Sequence, residues 1–270
     1  MSELPVLVSM EGGIAEVVLN RPDKHNALTP EMLVRLARAW DAIAEDSSIR
    51  VAVLSGTGDR TFCAGADLKR LTPLLTRART AEDEWDEALL ADPKILNRAM
   101  LRRTDFTVPV VAALRGAVMA GGMEIALACD LRVAAESSVL GLLEVKRGLI
   151  PAAGGVARVS RQIPWAIAAE ILLVGDAIPA QEALRFGLVN RVVPADAVLS
   201  TARELAARMA QNSPFAMRQA KAVMQATSGL TLGDAFGVED ASIKLVLRSE
   251  DAKEGSRAFV EKRAPLFVGR

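Results

Sequence analysis

The sequence predicts an α/β fold, with residues 1–195 forming a body of short strands and helices and residues 196–270 forming helices alone. Three observations carry this. Continuous apolar runs at 51–54 and 108–114 have the composition of buried strands, and 131–134 reads as another strand. Two of them, within 51–69 and 110–129, run on into a small-residue, glycine-containing loop and then a helical segment. From about residue 195 the strand signals stop and helical spacing takes over.

The elements follow in order. Runs 6–10 and 14–19 around Glu11-Gly12-Gly13 predict an antiparallel hairpin. Asn20-Arg21-Pro22-Asp23 is turn chemistry. Thr29-Pro30 reads as an N-cap with proline at the first helical position, and Leu33, Leu36, Trp40 and Ile43 supply the helical stripe. Segment 61–69 reads as a loop. Segment 71–104 is charged, helical in propensity and broken by Pro73 and Pro93, a mobile helical excursion and the first candidate for lining a substrate. Residues 123–129 form an almost wholly apolar helix, and 148–155 a Pro/Gly loop. In the C-terminal region Val198, Leu199, Ala202, Leu205 and Met209 keep helical spacing, Ser213, Thr231 and Ser249 are N-caps, and Pro265 stops the last helix. This region has apolar faces but little bulk, so it packs on the body or on a neighbouring subunit.

Composition narrows the chemistry. The 270 residues carry 33 basic and 33 acidic side chains, one histidine, two cysteines and no tyrosine. A metal site built on Cys and His is short of ligands, and a Ser-His-Asp triad would have to use His25. Proton transfer therefore falls to carboxylates or lysines. Zero net charge argues against a nucleic-acid footprint, and no apolar run reaches membrane-spanning length. Cys63 and Cys129 make no disulfide framework and read as core fillers; a cytoplasmic globular protein is expected.

Four features could carry chemistry. Gly121-Gly122 at the start of a helix either opens free N–H groups to a ligand or permits tight backbone packing. Ala64-Gly65-Ala66 makes the same offer, and two such loops could each supply one N–H to an oxyanion. Glu124 is the only charge between Ala117 and Cys129, and a carboxylate there is costly unless paired with an arginine or used. Glu144 is either a salt-bridge partner of Lys146, Arg147 or Arg158, or a second functional carboxylate whose burial lifts its pKa toward neutrality. His25 reads as a surface or cap histidine, Asp67 as a brace for its loop, and 81–87 around Trp85 as a solvated acidic face. Neither a P-loop nor a dinucleotide fingerprint is present.

Taken together, several motifs resemble the crotonase, or enoyl-CoA hydratase/isomerase, superfamily. They are Arg21-Pro22-Asp23-Lys24-His25-Asn26-Ala27-Leu28, Phe62-Cys63-Ala64-Gly65-Ala66-Asp67-Leu68, Gly121-Gly122-Met123-Glu124 with Cys129-Asp130, and Glu144 with Gly148-Leu149-Ile150-Pro151 and Gly154-Gly155. Segment 180–194 and the C-terminal Ser249-Glu250-Asp251, Glu254-Gly255 and 259–262 continue the pattern. The resemblance implies a spiral of ββα units, a C-terminal helical trimerisation region, a homotrimer or dimer of trimers, and a place in fatty-acid metabolism. It implies an acyl-CoA thioester substrate, with coenzyme A as part of that substrate and no metal or redox cofactor. The N–H groups of Ala66 and Gly121 would hold the thioester oxygen. Ala27, Leu28, Ala64, Asp67, Leu68 and Lys69 would line the CoA path, and Lys262 would reach the CoA phosphates of an adjacent subunit. Glu124 and Glu144 match the glutamate pair of the hydratases, which implies a hydro-lyase adding water syn to a trans-2-enoyl-CoA. Dehydration of a polar acyl-CoA such as carnitinyl-CoA, double-bond isomerisation, and non-catalytic CoA or RNA binding are the alternatives; an acidic, Trp-bearing segment could suit a quaternary ammonium group. Two departures stand out. Ala120 replaces a frequent third glycine, and Val118 replaces a frequent aromatic, a change expected to alter the acyl pocket.

Overall fold

The computed structural model describes residues 4–270. The hairpin forms as β1 (Val6–Glu11) and β2 (Ile14–Leu19), paired from Val6–Leu19 to Glu11–Ile14. Helix α1 (Pro30–Glu45) starts where Thr29 Oγ1 accepts the Met32 N–H, and it buries Leu33, Leu36, Trp40 and Ile43. Next come β3 (Val51–Gly56) and β4 (Thr61–Cys63). Three short helices follow, α2 (Leu71–Leu75), α3 (Glu84–Ala91) and α4 (Lys94–Ala99). Then β5 (Val110–Leu114), β6 (Ala117–Met119) and α5 (Gly121–Ala128) precede β7 (Leu131–Ala135) and β8 (Val139–Gly141).

The pairs β3/β4, β5/β6 and β7/β8 repeat one plan. The first strand of each joins a six-stranded sheet of order β1-β2-β3-β5-β7 that β10 (Arg191–Val193) completes, and the second joins a four-stranded sheet of order β4-β6-β8 that β9 (Ile178–Pro179) completes. This is the spiral of ββα units, with one more turn than the two units the glycine loops suggested. Strands β4, β6 and β8 are three residues each, too short for a period-two pattern to show. The same holds for β9 (Ile178–Pro179) and β10 (Arg191–Val193), which complete the two sheets after α6 (Gly155–Gln162), α7 (Trp165–Ala169) and, between the two strands, α8 (Ala180–Arg185).

The apolar runs of the large sheet are continuous because both faces are covered. Ala52, Leu54, Val110, Ala112 and Leu114 join the main core with α1. Val51, Val53, Val111, Ala113, Val133 and Ala135 face the other way, against Val198, Ala202 and Ala206 of α9 (Val198–Ala210). Small alanines on α9 let it lie close to the sheet. Helices α10 (Pro214–Thr227), α11 (Leu232–Arg248) and α12 (Glu250–Val260) follow, each opened by an expected cap, Ser213, Thr231 or Ser249. Helix α11 buries no residue, and Leu247 on it is 70% exposed. On and just past α12, Phe259, Val260 and Leu266 are also exposed. Among the described residues no helix is long and apolar enough to cross a membrane.

Two expectations about the 71–104 excursion change. It is not loosely attached: Leu71, Leu74, Leu89, Ile95 and Met100 are buried in the main core. Its acidic stretch is a solvated face at Glu82, Asp83, Glu84 and Glu87, as expected, but not at Asp86. Asp86 is 0% exposed, and its carboxylate takes both Nη atoms of Arg79 at 2.5 and 2.8 Å and the Glu82 N–H at 3.0 Å. Hydrogen bonds from Arg79 hold the Asp86 carboxyl below its usual range. A run of acids reads as solvated by composition; only the pairing with the arginine seven residues earlier reveals one buried member.

Candidate active site

Three crossovers converge on one cavity of about 470 Å³. The first is the loop after β4. Its frame is Asn26, fully buried in the turn before α1: Nδ2 donates to the carbonyls of Thr57, Thr61 and Phe62, each at 3.0 Å, and Oδ1 accepts the Arg21 N–H at 2.8 Å. Asn26 itself sits at φ +50°, a conformation asparagine tolerates better than most. Arg21 donates to the Ala27 carbonyl at 2.6 Å and to Asp67 at 3.3 Å. Asp67 braces the loop as expected, accepting the N–H groups of Lys69 and Arg70. Burial raises its pKa, but these N–H groups and Arg21 outweigh that and hold it low. The Leu28 N–H then bonds the Gly65 carbonyl and the Asp67 N–H bonds the Leu28 carbonyl. The Ala64 N–H donates to His25 and the Gly65 N–H to Cys63 Sγ. Within residues 64–67 the Ala66 N–H alone has no acceptor among the described residues, and Ala66 lines the cavity.

The second crossover runs from β6 into α5, an N-terminus with no side-chain cap. Its two glycines do different things. A Cβ on Gly122 would stand 2.3 Å from the Cys63 carbonyl oxygen, so this glycine serves close backbone packing. A Cβ on Gly121 would meet nothing nearer than Gly65 Cα and Leu28 Cδ1 at 3.4 Å, with Ala66 N at 3.8 Å. Gly121 therefore faces the cavity, beside Ala66, with the positive end of the helix behind its N–H. Both readings of Gly-Gly hold, one for each residue. Ala120 occupies φ +50°, ψ −123° with a Cβ, so the replaced glycine is tolerated at the cost of backbone strain. Val118 is fully buried in β6 and does not line the cavity, so the expected change in the acyl pocket does not come from its side chain.

One turn into α5, Glu124 is 4% exposed. Its Oε1 accepts the N–H groups of Ala153 (2.7 Å) and Gly155 (2.8 Å) from the loop before α6. The arginine nearby, Arg158, donates to the Glu124 main-chain carbonyl at 3.3 Å. Burial raises the Glu124 pKa, against the pull of the two N–H groups and the Arg158 charge.

The third crossover follows β8, where Glu144 begins a short 3₁₀ turn (Glu144–Arg147). Two of the three expected salt-bridge partners are engaged elsewhere, Lys146 with Asp176 and Arg158 with carbonyls, and Arg147 acts on Glu144 through its charge without a salt bridge among the described residues. Glu144 Oε2 is buried with no hydrogen-bond partner among the described residues. Burial lifts the Glu144 carboxyl to about 7, with the Glu124 charge adding to the rise and Arg147 opposing it. Two carboxylates from different crossovers thus share one cavity with Ala66 and Gly121, and burial of one of them, Glu144, lifts its pKa to about 7.

Leu28, Ala64, Ala66, Leu68, Gly121, Glu124 and Glu144 all line the cavity. Ala27, Asp67 and Lys69 stand behind or beside that wall, and Lys262, at the end of α12, does not line the cavity within one chain. His25, in a left-handed turn with Nδ1 2.9 Å from Thr61 Oγ1, belongs to the frame. Burial pushes the Cys63 and Cys129 thiols up to about 12, which leaves them unreactive. The rest of the wall is mainly apolar, with Leu71, Leu75, Leu96 and Met100 from the excursion and Leu143 and Ile150, and it also carries Thr72, Thr76 and Arg147. The sequence reading singled out the segment but not these positions, because 3.6-residue spacing is unreadable in helices of five or six residues. Trp85 is not among the lining residues; it packs under Arg35 and Arg38. The aromatic contact imagined for a quaternary ammonium group is therefore absent from this wall.

The chain matches the family model described as enoyl-CoA hydratase/isomerase over residues 9–270. It is 38% identical to an enoyl-CoA hydratase of Mycobacterium tuberculosis, over 98% of this chain and 96% of that one. It is 36% identical to a carnitinyl-CoA dehydratase of Proteus mirabilis, over 97% and 98% of the two chains. The crystal structure of an enoyl-CoA hydratase from Bacillus anthracis superposes with a TM-score of 0.88 at 35% identity, covering 98% of this chain and 100% of that one.

Proposed function

Because this chain belongs to the enoyl-CoA hydratase/isomerase family, we propose that it is an enoyl-CoA hydratase, a hydro-lyase adding water reversibly and syn to a trans-2-enoyl-CoA to give a 3-hydroxyacyl-CoA. The observation that carries this reading is the pairing of Glu124 and Glu144 across one mainly apolar cavity, both with raised pKa values, beside two N–H groups with no acceptor among the described residues.

The thioester oxygen would accept the N–H groups of Ala66 and Gly121. A water molecule between the carboxyl groups would lose a proton to Glu124, whose Oε1 the Ala153 and Gly155 N–H groups orient, as its oxygen bonds C3. The π pair moves onto the thioester as an enolate, which each N–H donor stabilises by about 2.7–4 kcal/mol. The enolate then collapses and takes the proton of Glu144 at C2. The pair ends with the same total number of protons, now exchanged between its members. Nothing in these steps calls for a metal or redox cofactor. Hydration of an apolar acyl chain suits the Leu/Met wall better than a polar or quaternary ammonium group does.

Ala27, Asp67 and Lys69 would border the CoA path, and Lys262 would act on the CoA of a neighbouring subunit. The exposed apolar side chains of α11 and α12 support a homotrimer or dimer of trimers, read by light scattering after gel filtration. A cytoplasmic location and a role in fatty-acid breakdown fit this chemistry.

The test is turnover of trans-2-butenoyl-CoA, followed by loss of the conjugated enoyl absorbance. Glu124→Gln and Glu144→Gln should each lower kcat by about 10²–10⁴-fold while a saturated acyl-CoA still binds. Near-normal turnover in either variant sinks the paired-carboxylate mechanism. With Glu144 as the acid, kcat/KM of the wild type should fall as pH rises through about 7, the value set by its burial, and fall again at low pH as Glu124 takes up a proton.

A further inference from the structure

The end of the excursion holds an unusual stretch of backbone. Leu101, just past α4, is buried yet lies at φ +49°, where a leucine is strained. Its carbonyl points to Arg158, which donates Nη2 to it at 2.6 Å and to the Met100 carbonyl at 3.5 Å. The other arm, Nη1, donates to the carbonyls of Ala153 at 3.0 Å and Glu124 at 3.3 Å. All four acceptors are main-chain carbonyls, drawn from three separate segments. Ala153 is also the residue whose N–H holds the Glu124 carboxylate, and Met100 is part of the acyl wall. Gly154 makes room: it sits at φ +103°, and a Cβ there would stand 2.8 Å from Arg158 Nη1.

We propose that Arg158 is a positioning residue that locks the acyl-pocket wall at Met100–Leu101 to the loop that aims the Glu124 carboxylate, so that acyl-chain selectivity and the rate of proton transfer are set by one guanidinium. The proposal rests on the hydratase reading. A rigid planar fork with five donors can span three segments at once, whereas a lysine ammonium is a single point on a flexible stem. Keeping the charge while removing the fork therefore separates positioning from electrostatics.

Arg158→Lys is assayed with butenoyl-CoA and octenoyl-CoA, with kinetics normalised to folded protein by circular dichroism. The expected result is a fall in kcat for butenoyl-CoA of about 100-fold, the cost of a displacement near 1 Å, with KM little changed. The octenoyl-to-butenoyl ratio of kcat/KM should rise by about tenfold as the wall loosens. Arg158→Gln, which keeps two donors near the same carbonyls but loses the fork and the charge, should shift the ratio in the same direction and covers the case in which the lysine variant does not fold. A purely structural arginine predicts a lower Tm with kcat and the length ratio unaltered per folded molecule, and that result overturns the proposal. Wild-type turnover with both parameters intact in the folded variants does the same. Absence of wild-type turnover on every enoyl-CoA overturns the hydratase reading and the proposal with it.

Discussion

The two loops that face the cavity with a free N–H are held by opposite means. The loop carrying Ala66 is pinned by polar bonds: Asn26 binds the backbone of β4 and the end of β3, and Arg21 bridges to Asp67. The loop carrying Gly121 makes no such side-chain bonds at its start and is held by shape, with Gly122 pressed against Cys63 and Ala120 forced into a strained turn. A hydrogen-bonded frame tolerates changes in volume but not in polarity. A sterically held frame does the reverse. The loops touch, so each N–H is placed relative to the other by both kinds of force.

That contrast can be broken from either side. The largest effect is expected for Gly122→Ala, whose new Cβ meets backbone that cannot move aside; unfolding in urea should show a loss of about 3 kcal/mol. Its neighbour separates fold from function. Gly121→Ala has ordinary contacts at 3.4 Å, so stability should hold, yet the methyl group enters the space beside Ala66 N and should lower kcat about 100-fold, about 2.7 kcal/mol. A variant that is unstable rather than inactive would show that both glycines serve packing. On the polar side, Asn26→Ala strands three carbonyls and the Arg21 N–H and should cost about 2 kcal/mol; an unchanged urea midpoint would mean the loop is held sterically after all. The smallest change is a gain. Ala120→Gly relieves the positive φ and should raise stability by about 1 kcal/mol, visible as a higher Tm.

Much of the site was legible beforehand because its residues violate local expectation. A lone carboxylate in an apolar helix and glycines where a helix begins both carry a cost that needs a reason. Glu144 was harder, since three basic residues within reach made a salt bridge an equally good account, and only the fold shows Lys146 paired with Asp176 instead. Arg158 gave no local signal beyond its place after Gly154-Gly155, because its four acceptors are backbone atoms distant in the chain.

The sequence by itself determined the buried strands, the helix caps and the family pattern, since each depends on side-chain polarity within a few residues. The tertiary structure alone decided which strands share a sheet, that Asp86 is buried, that Trp85 lies off the cavity wall, and that one arginine joins the acyl wall to a carboxylate. The sheet order and the Arg158 bridge depend on backbone groups meeting across long stretches of chain, and backbone N–H and C=O groups are the same in every residue but proline, so no composition or spacing records where they meet. Asp86 and Trp85 were decided by where arginine side chains fold back to meet them.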